Sequence, residues 1–568
     1  MTQNSSKSPG AKARRKKPEK LEFVQPFIPV KDIRNGIVET TDGRYVKILE
    51  IEPINFMLRS SEEQYNILSS FASWLKISPM KLQFKSITRK ADSDKHIAMI
   101  RKELSIEDNA QCKAMGEDYI RLIKDVGSRE ALTRRFFLIY QYEAIGRSES
   151  DDYSKIYSML VSAEQNARAY FMQCGNNIIQ PQNPDQAVAE ILYMFFNRRS
   201  CVDEPFTDRV NRVIIDTMAA KGKIIGIDPI PHISVRHFIA PRGLDLSHYN
   251  YIVMDGRYYC FLYIKGNGYP STVRGGWMSS LINAGEGIDD VHLSRENRSK
   301  TIDKVAQRIR LNRTKLKGMQ DTSTDYEELT NSIQAGYYIK NGIANHNEDL
   351  FYMSVFVTIS AKTYDELLWR KQQMTDMLKS MDMYLSDCRF QQEDALRSVM
   401  PFLQISPKLQ KKTQRNVLTS GAASTYMFTS FEMSDDSGVL LGVNRHNNSL
   451  CIVDLFNTKI NKNANLTMCG TSGTGKTFTL QLLALRMRMR GIQCYIIAPI
   501  KGHEFKRACS KIGGEFIKIA PGSPHCINVM EIRHTISPEM ELIDEVDYND
   551  MDSMLARKIQ QLMIFFSL

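Results

Sequence analysis

The sequence predicts an α/β protein, with N-terminal α+β modules followed by a phosphate-loop domain, on three observations. Asn465–Ala498 runs strand, glycine loop, apolar helix, strand, which is the order of a phosphate-binding unit. Upstream, segments with period-two and period-3.6 hydrophobicity alternate along the chain. Hydrophobic residues make up 42% and charged residues 24%, which excludes a disordered chain. Its 568 residues suffice for about three to four cores.

Residues 1–25 read as a disordered basic tail. Seven basic side chains and one acid fall within residues 1–20, with Lys12, Arg14, Arg15, Lys16, Lys17 and Lys20 close together. The tail holds +6 of a net charge of +11, so the body is close to neutral. Two readings of it stand side by side, an arm for anionic lipid or nucleic-acid phosphate and a solubilising tail. Ten cysteines stand singly with no C-x-x-C pair, which fits free thiols in a reducing cytosol. No apolar run reaches the ~18 residues of a membrane span, and no apolar segment behind the tail reads as a secretory signal.

Residues 26–215 are expected to form a small α/β domain. Tyr45–Ile51 alternates as a strand, and Ser60-Ser61-Glu62-Glu63 is a capping box opening a helix that buries Tyr65, Leu68, Ala72 and Leu75. Leu82–Ile87 and Arg135–Tyr142 are strands, Tyr153–Cys174 a helix and Asn177–Ile179 a short strand. These make two β-α-β passes without sequence self-similarity.

A second α/β domain with long helices is expected over 216–432. Tyr258–Ile264 is its strongest strand, closed by the turn Gly266–Pro270. A helix from about Lys300 to Gly318 sets Ile302, Val305, Ala306 and Ile309 on one face, with Lys304, Arg308, Arg310, Arg313, Lys315 and Lys317 elsewhere. Those cations read as a solvated face or as a nucleic-acid contact. Phe351–Ile359 is a strand, and Thr363–Glu366 is a second capping box. The helix behind it carries Leu367, Leu368, Met374, Met377, Leu378 and Met381, and its methionine stripe reads as core in preference to an adaptable binding surface.

Residues 433–568 carry the nucleotide motif. Leu450–Leu455 and Asn465–Cys469 are strands leading to Gly470-Thr471-Ser472-Gly473-Thr474-Gly475-Lys476-Thr477, the pattern G-x-x-x-x-G-K-[ST]. The glycines let successive backbone N–H groups turn toward phosphate oxygens, and the N-terminus of the following helix adds partial positive charge. Lys476 is placed to reach the β- and γ-phosphates of ATP, and Thr477 to hold Mg²⁺ through its hydroxyl. Cys494–Ala498 and Gly514–Ile519 are expected as further strands, Gly502–Lys511 as a helix and Met551–Leu568 as an amphipathic helix.

Two other patterns fail on their own terms. His503, Cys509, His525 and Cys526 lack zinc-ligand spacing. Leu542-Ile543-Asp544-Glu545 imitates a metal-holding acidic strand, but Glu541 interrupts the apolar run and Val546–Asp550 continues as a polar loop, so it reads as an acidic surface linker.

Gly470–Thr477, Ala498–Phe505, Gly513–Ile517 and Ile527–Asn528 together resemble the conjugative-transfer ATPases of type IV secretion systems. These are the TraC/TrbE-like proteins, related to the TraG/FtsK/HerA P-loop group of DNA-pumping coupling proteins. Gln391–Leu396 running to Pro401, and Gly442-Val443-Asn444 before Asp454, are similar to that family's approach to its nucleotide domain. The resemblance implies an N-terminal region that docks on membrane-embedded secretion channel subunits and a C-terminal RecA-like ATPase motor. It also implies a homo-oligomer and a cytoplasmic location at the inner face of the membrane. This chain has Ala498 where the family ends its second strand with aspartate. The family's acidic strand, later motor motifs and trans-acting arginine would lie beyond Leu568, so an incomplete, truncated motor with little or no hydrolysis is expected. The alternatives are a non-enzymatic docking or scaffold fragment of such a machine and a DNA-binding adaptor.

Overall fold

The computed structural model describes the chain from Val24 to Ser567 apart from residues 91–93, 129–131, 144–151, 224, 226–227, 271, 284–286, 318–323, 433–434, 436, 445–448, 459–462, 500–501, 521, 526–527 and 532–547. The basic tail, apart from Val24 and Gln25, and the acidic stretch Leu542–Glu545 therefore lie outside the described residues. Two compact units emerge. One comprises Met1–Ser93 with Lys124–Val453, the other Asp94–Ile123 with Asp454–Leu568.

The first unit is built on one large antiparallel sheet. Its first half runs β1 (Val30–Arg34), β2 (Ile37–Thr40), β3 (Tyr45–Glu52), α1 (Ser61–Ile77) and β4 (Lys81–Lys90). After an excursion through α2 (Asp94–Ile106) and α3 (Ala110–Ser128) it resumes with β5 (Leu132–Gln141), α4 (Tyr153–Gln173) and β6 (Asn177–Ile178). β5 lies between β3 and β4 and pairs antiparallel with both, while β6 pairs with β3. The order β6-β3-β5-β4 is that of a split β-α-β, or ferredoxin-like, module.

Helices α5 (Pro184–Phe196), α6 (Ser200–Asp203), α7 (Phe206–Ala220) and α8 (Val235–Ile239) follow. The same plan then recurs. β7 (Leu244–Asp245), β8 (Ile252–Met254), β9 (Arg257–Ile264), α9 (Met278–Ile282) and β10 (Gly287–Arg295) lead into α10 (Arg298–Lys317) and α11 (Thr324–Asn345). β11 (Leu350–Ala361), α12 (Tyr364–Lys379) and β12 (Leu385–Asp387) complete it. β11 lies between β9 and β10, and β12 pairs with β9, giving β12-β9-β11-β10. Each module thus carries a two-helix arm between its second and third strands. The modules join through their second strands, β4 and β10, which pair antiparallel from Ile87↔Ile288 to Lys81↔Ser294.

This arrangement corrects the reading of two separate α/β domains divided near residue 215. Strands from both sides of that position hydrogen-bond in a single sheet, because β4 and β10 close each other's edges. The passes are also split, with an antiparallel strand between each parallel pair.

Helices cover both faces. Phe71 and Trp74 of α1, Phe171 of α4, Leu281 of α9 and Leu367 and Leu378 of α12 pack on one face with Leu82, Phe84, Val291 and Leu293. Val188, Leu192 and Phe195 of α5 and Leu396 and Val399 of α13 (Gln392–Val399) pack on the other with Ile87, Ile139 and Phe356. Tyr65 is 72% exposed and is not part of the buried face of α1 expected from its spacing. Ser60 and Glu63 make the reciprocal capping box that opens α1. At α12 the Thr363 hydroxyl accepts from the Glu366 N–H, but the Glu366 carboxylate takes the Lys362 N–H instead. Met374 is buried and Met377 and Met381 are partly so in the same core.

Past α14 (Pro407–Thr413), β13 (Arg415–Leu418) and α15 (Thr419–Ser424), the hairpin of β14 (Val439–Val443) and β15 (Leu450–Val453) ends the unit.

The second unit holds α2, α3, α16 (Lys476–Arg488), α17 (His503–Lys511) and α18 (Tyr548–Ser567). Among its described residues Asn465–Cys469, Cys494–Ala498 and Gly514–Ile519 form no strand ladder. Strands of a parallel sheet are covered on both faces, whereas here Leu466 is 53%, Ile497 93% and Ile519 61% exposed. The described residues therefore show the loop and its helices without the sheet of a RecA-like domain. The P-loop unit also starts at Asp454 and recruits Asp94–Ile123, neither of which the sequence boundary at 433 anticipates.

Candidate nucleotide-binding site

Gly470–Thr477 forms an exposed loop that opens α16. Gly473 and Gly475 sit at φ +79° and +87°, in the left-handed region where a side chain is strained. Gly475 is the N-cap residue, so the left-handed step falls at the point where the loop becomes helix. Gly470 serves by size. A Cβ there would stand 2.8 Å from Thr474 Oγ1 and 3.5 Å from Lys476 Cδ, which places its backbone on the floor of the cradle.

Lys476 folds over that floor. Its Nζ donates to the carbonyls of Gly470 at 2.7 Å and Thr471 at 2.6 Å. Thr474 Oγ1 donates to Thr471 O at 2.8 Å, and Thr479 Oγ1 to Gly475 O at 3.1 Å, holding the turn. Thr477, Thr471 and Ser472 belong to the same loop and first helical turn, so all eight residues of the motif come together. The donor set fits a nucleotide phosphate with its metal: backbone N–H groups at a helix start, one ammonium over the loop and one hydroxyl beside it. Among the described residues no group of His, Cys, Asp or Glu could hold a metal ion. Of the zinc-like set, Cys526 lies outside the described residues.

The far end of α16 is gripped by residues that sequence reading did not associate with the motif. Arg488 pairs with Glu107 at 2.6 Å, and Arg486 lies over the Tyr119 ring at 5.3 Å. Asn109 Nδ2 donates to Ile512 O at 3.3 Å. The Asn109 N–H and Arg488 hold the Glu107 carboxyl below its ordinary pKa. His96 is buried against Tyr119, and burial together with Arg490 lowers its pKa to about 4. No local signal links Glu107 to Arg488, because they are separated by 381 positions. Gln481 Nε2 donates to Glu504 O at 3.0 Å, joining α16 to α17.

A separate cleft of about 260 Å³ lies in the sheet unit, lined by Arg44, Lys81, Gln141, Tyr352, Gln404 and Gln410 among others. It contains none of the motif residues. No described helix is long and apolar enough to cross a membrane.

Residues 31–146 match the family model of the archaeal TraC-like domain. The match spans β1 through β5, including the α2–α3 arm. No curated protein matches the chain.

Proposed function

We propose that the chain is a nucleotide-binding subunit of a conjugative-transfer or type IV secretion machine, with Gly470–Thr477 taking ATP and Mg²⁺. The observation that carries this is the loop itself, with two left-handed glycines, the start of α16 and the Lys476 ammonium within 2.7 Å of the Gly470 and Thr471 carbonyls. On phosphate binding Lys476 exchanges those carbonyls for β- and γ-phosphate oxygens, and Thr477 presents its hydroxyl to the metal. The bound metal would neutralise phosphate charge. The chain's own residues bind and orient the phosphates.

This reading is one of binding. The TraC-like match supports the machine, and channel subunits at the inner face of the membrane are the partners that reading entails.

A second reading, a docking or scaffold piece without nucleotide, is favoured by the exposed Tyr495, Ile497, Ile517 and Ile519 of the same unit. Thermal unfolding with Mg-ATP separates the two. At about 100-fold excess over Kd, binding adds about 2.7 kcal/mol to the unit that holds the loop. Lys476→Ala removes that gain. No stabilisation of the parent chain, or an equal gain in Lys476→Ala, would leave the scaffold reading in place.

A further inference from the structure

The two modules carry arms at equivalent positions, and the arms differ in charge and in what they touch. In the first module, α2–α3 is part of the P-loop unit, where Glu107 holds Arg488 and Glu103 stands beside Gly491. Acidic groups on that arm meet the arginine-bearing end of α16. In the second module, α10 carries eight basic side chains and one acid, a net charge of +7 over 20 residues.

The hairpin holds those cations outward. Ile309 is buried, and a Cβ on Gly336 of α11 would stand 2.7 Å from Ile309 Cγ1, so the helices pack closely along that face. Ile302 packs with Ile343, Leu350 and Leu418 at the base, where Arg298 pairs with Asp349 at 2.8 Å. Asn312 Nδ2 donates to Ser332 Oγ at 2.9 Å further out. Lys300, Lys304, Arg308 and Lys315 are exposed. At 100° per residue they fall within roughly 80° of arc and span about 22 Å of helix. Arg310 and Lys317 line the opposite flank, also exposed.

Three kinds of anionic partner are separable by physical chemistry. A membrane-surface helix needs a free apolar face to bury, and that of α10 is already spent on α11. The core of a protein interface is depleted of charge, whereas the exposed face of this helix is mostly cationic, with Leu311 exposed among the row. A polyphosphate backbone needs only cations spaced along a line, each releasing a counterion.

We propose that the α10–α11 arm binds the phosphate backbone of nucleic acid through the cation row of α10. This goes beyond nucleotide binding at Gly470–Thr477 and does not depend on it.

The test is fluorescence anisotropy of the full chain with a labelled single-stranded oligonucleotide and its duplex, across a salt series. The parent chain is compared with the variant Lys300→Gln, Lys304→Gln, Arg308→Gln, Lys315→Gln, and with a variant in which the five basic residues Lys12, Arg14, Arg15, Lys16 and Lys17 become Gln. The helix variant is expected to lose about tenfold or more in affinity and to lower the salt slope by about 3, the loss of four phosphate contacts. All four side chains are exposed, so its melting temperature should match that of the parent, and a match rules out misfolding as the cause. Unchanged affinity in the helix variant, or binding lost only in the tail variant, would overturn the proposal. So would a parent chain that binds phosphatidylserine vesicles and ignores both oligonucleotides.

Discussion

Lys85 and Asp290 face each other across the β4–β10 pairing, with ammonium and carboxylate 2.7 Å apart and both side chains wholly enclosed. The pair sits where the two modules meet. Burial raises the Asp290 pKa, and the Lys85 and Gln83 hydrogen bonds work against that rise. The same row of side chains caps α13. His292 Nε2 reaches Ser398 O at 2.9 Å, Lys85 Nζ donates to Val399 O at 2.7 Å and Gln83 Nε2 to Met400 O at 3.1 Å. Three successive carbonyls with no helical partner are thereby satisfied from the sheet.

Removing one member of the pair strands a buried charge. Lys85→Met is expected to destabilise the sheet unit by about 3–5 kcal/mol. The double variant Lys85→Met, Asp290→Leu should recover much of that loss, since the cost lies in the unpaired charge. All three tryptophans, Trp74, Trp277 and Trp369, belong to this unit, so denaturant unfolding followed by tryptophan fluorescence reads it selectively.

Acid should loosen the same junction. Burial, aided by Lys85, lowers the His292 pKa from 6.5 to about 3, while the Ser398 carbonyl pulls the other way. Below pH 6.5 the unfolded chain takes up a proton at this ring that the folded chain refuses. Stability from this group is therefore complete above pH 6.5 and falls as pH drops toward 3, by up to about 1.4 kcal/mol per pH unit. His292→Gln keeps a donor for Ser398 and should flatten that slope in the tryptophan-monitored transition. An unchanged slope would assign the acid sensitivity to other groups.

Gly475→Ala probes the loop without filling it. Nothing lies within 4 Å of the added Cβ, so the cost is the φ of +87° alone, about 1–2 kcal/mol. A strained or re-oriented loop start should weaken a fluorescent ATP analogue about tenfold, equivalent to about 1.4 kcal/mol, while the tryptophan transition stays put. Gly470→Ala should weaken it further, because its Cβ meets Thr474 Oγ1.

Glu107→Gln tests the grip on α16. The carboxylate accepts from Arg488 at 2.6 Å and 3.1 Å, and its loss should cost the P-loop unit about 1–2 kcal/mol. Hydrogen exchange should quicken in α2, α3 and the last turns of α16 and not in β9 or β11. Faster exchange throughout the sheet would contradict the division into units.

Elements were more legible than their assembly. Ser60 and Glu63 announce α1 because a capping box is a contact between neighbours, and Tyr258–Ile264 announces β9 because its composition is local. The pairing of β4 with β10 leaves no such trace, since it joins Phe84 to Val291 across the chain. Nothing in the residues beside Lys85 or Asp290 marks the two as a pair, which only the sheet encloses. The repeated module is hidden because its two copies share an order of elements and no residue pattern. Gly470–Thr477 is a pattern of eight neighbouring residues and so can be read locally, whereas Glu107, Asn109 and Tyr119 meet the far end of α16 and Ile512 only through the fold.

Each arm departs from a ladder that has already closed. β4 and β5 stay paired to Lys90↔Leu132, and β10 and β11 to Arg295↔Phe351, before the chain leaves the sheet. The two ends of an arm therefore start about 5 Å apart whatever lies between them. Such a position behaves as a socket: a helical hairpin of another length or charge can be spliced there without re-registering a strand. One scaffold can in this way be refitted for a new partner by exchanging an arm alone.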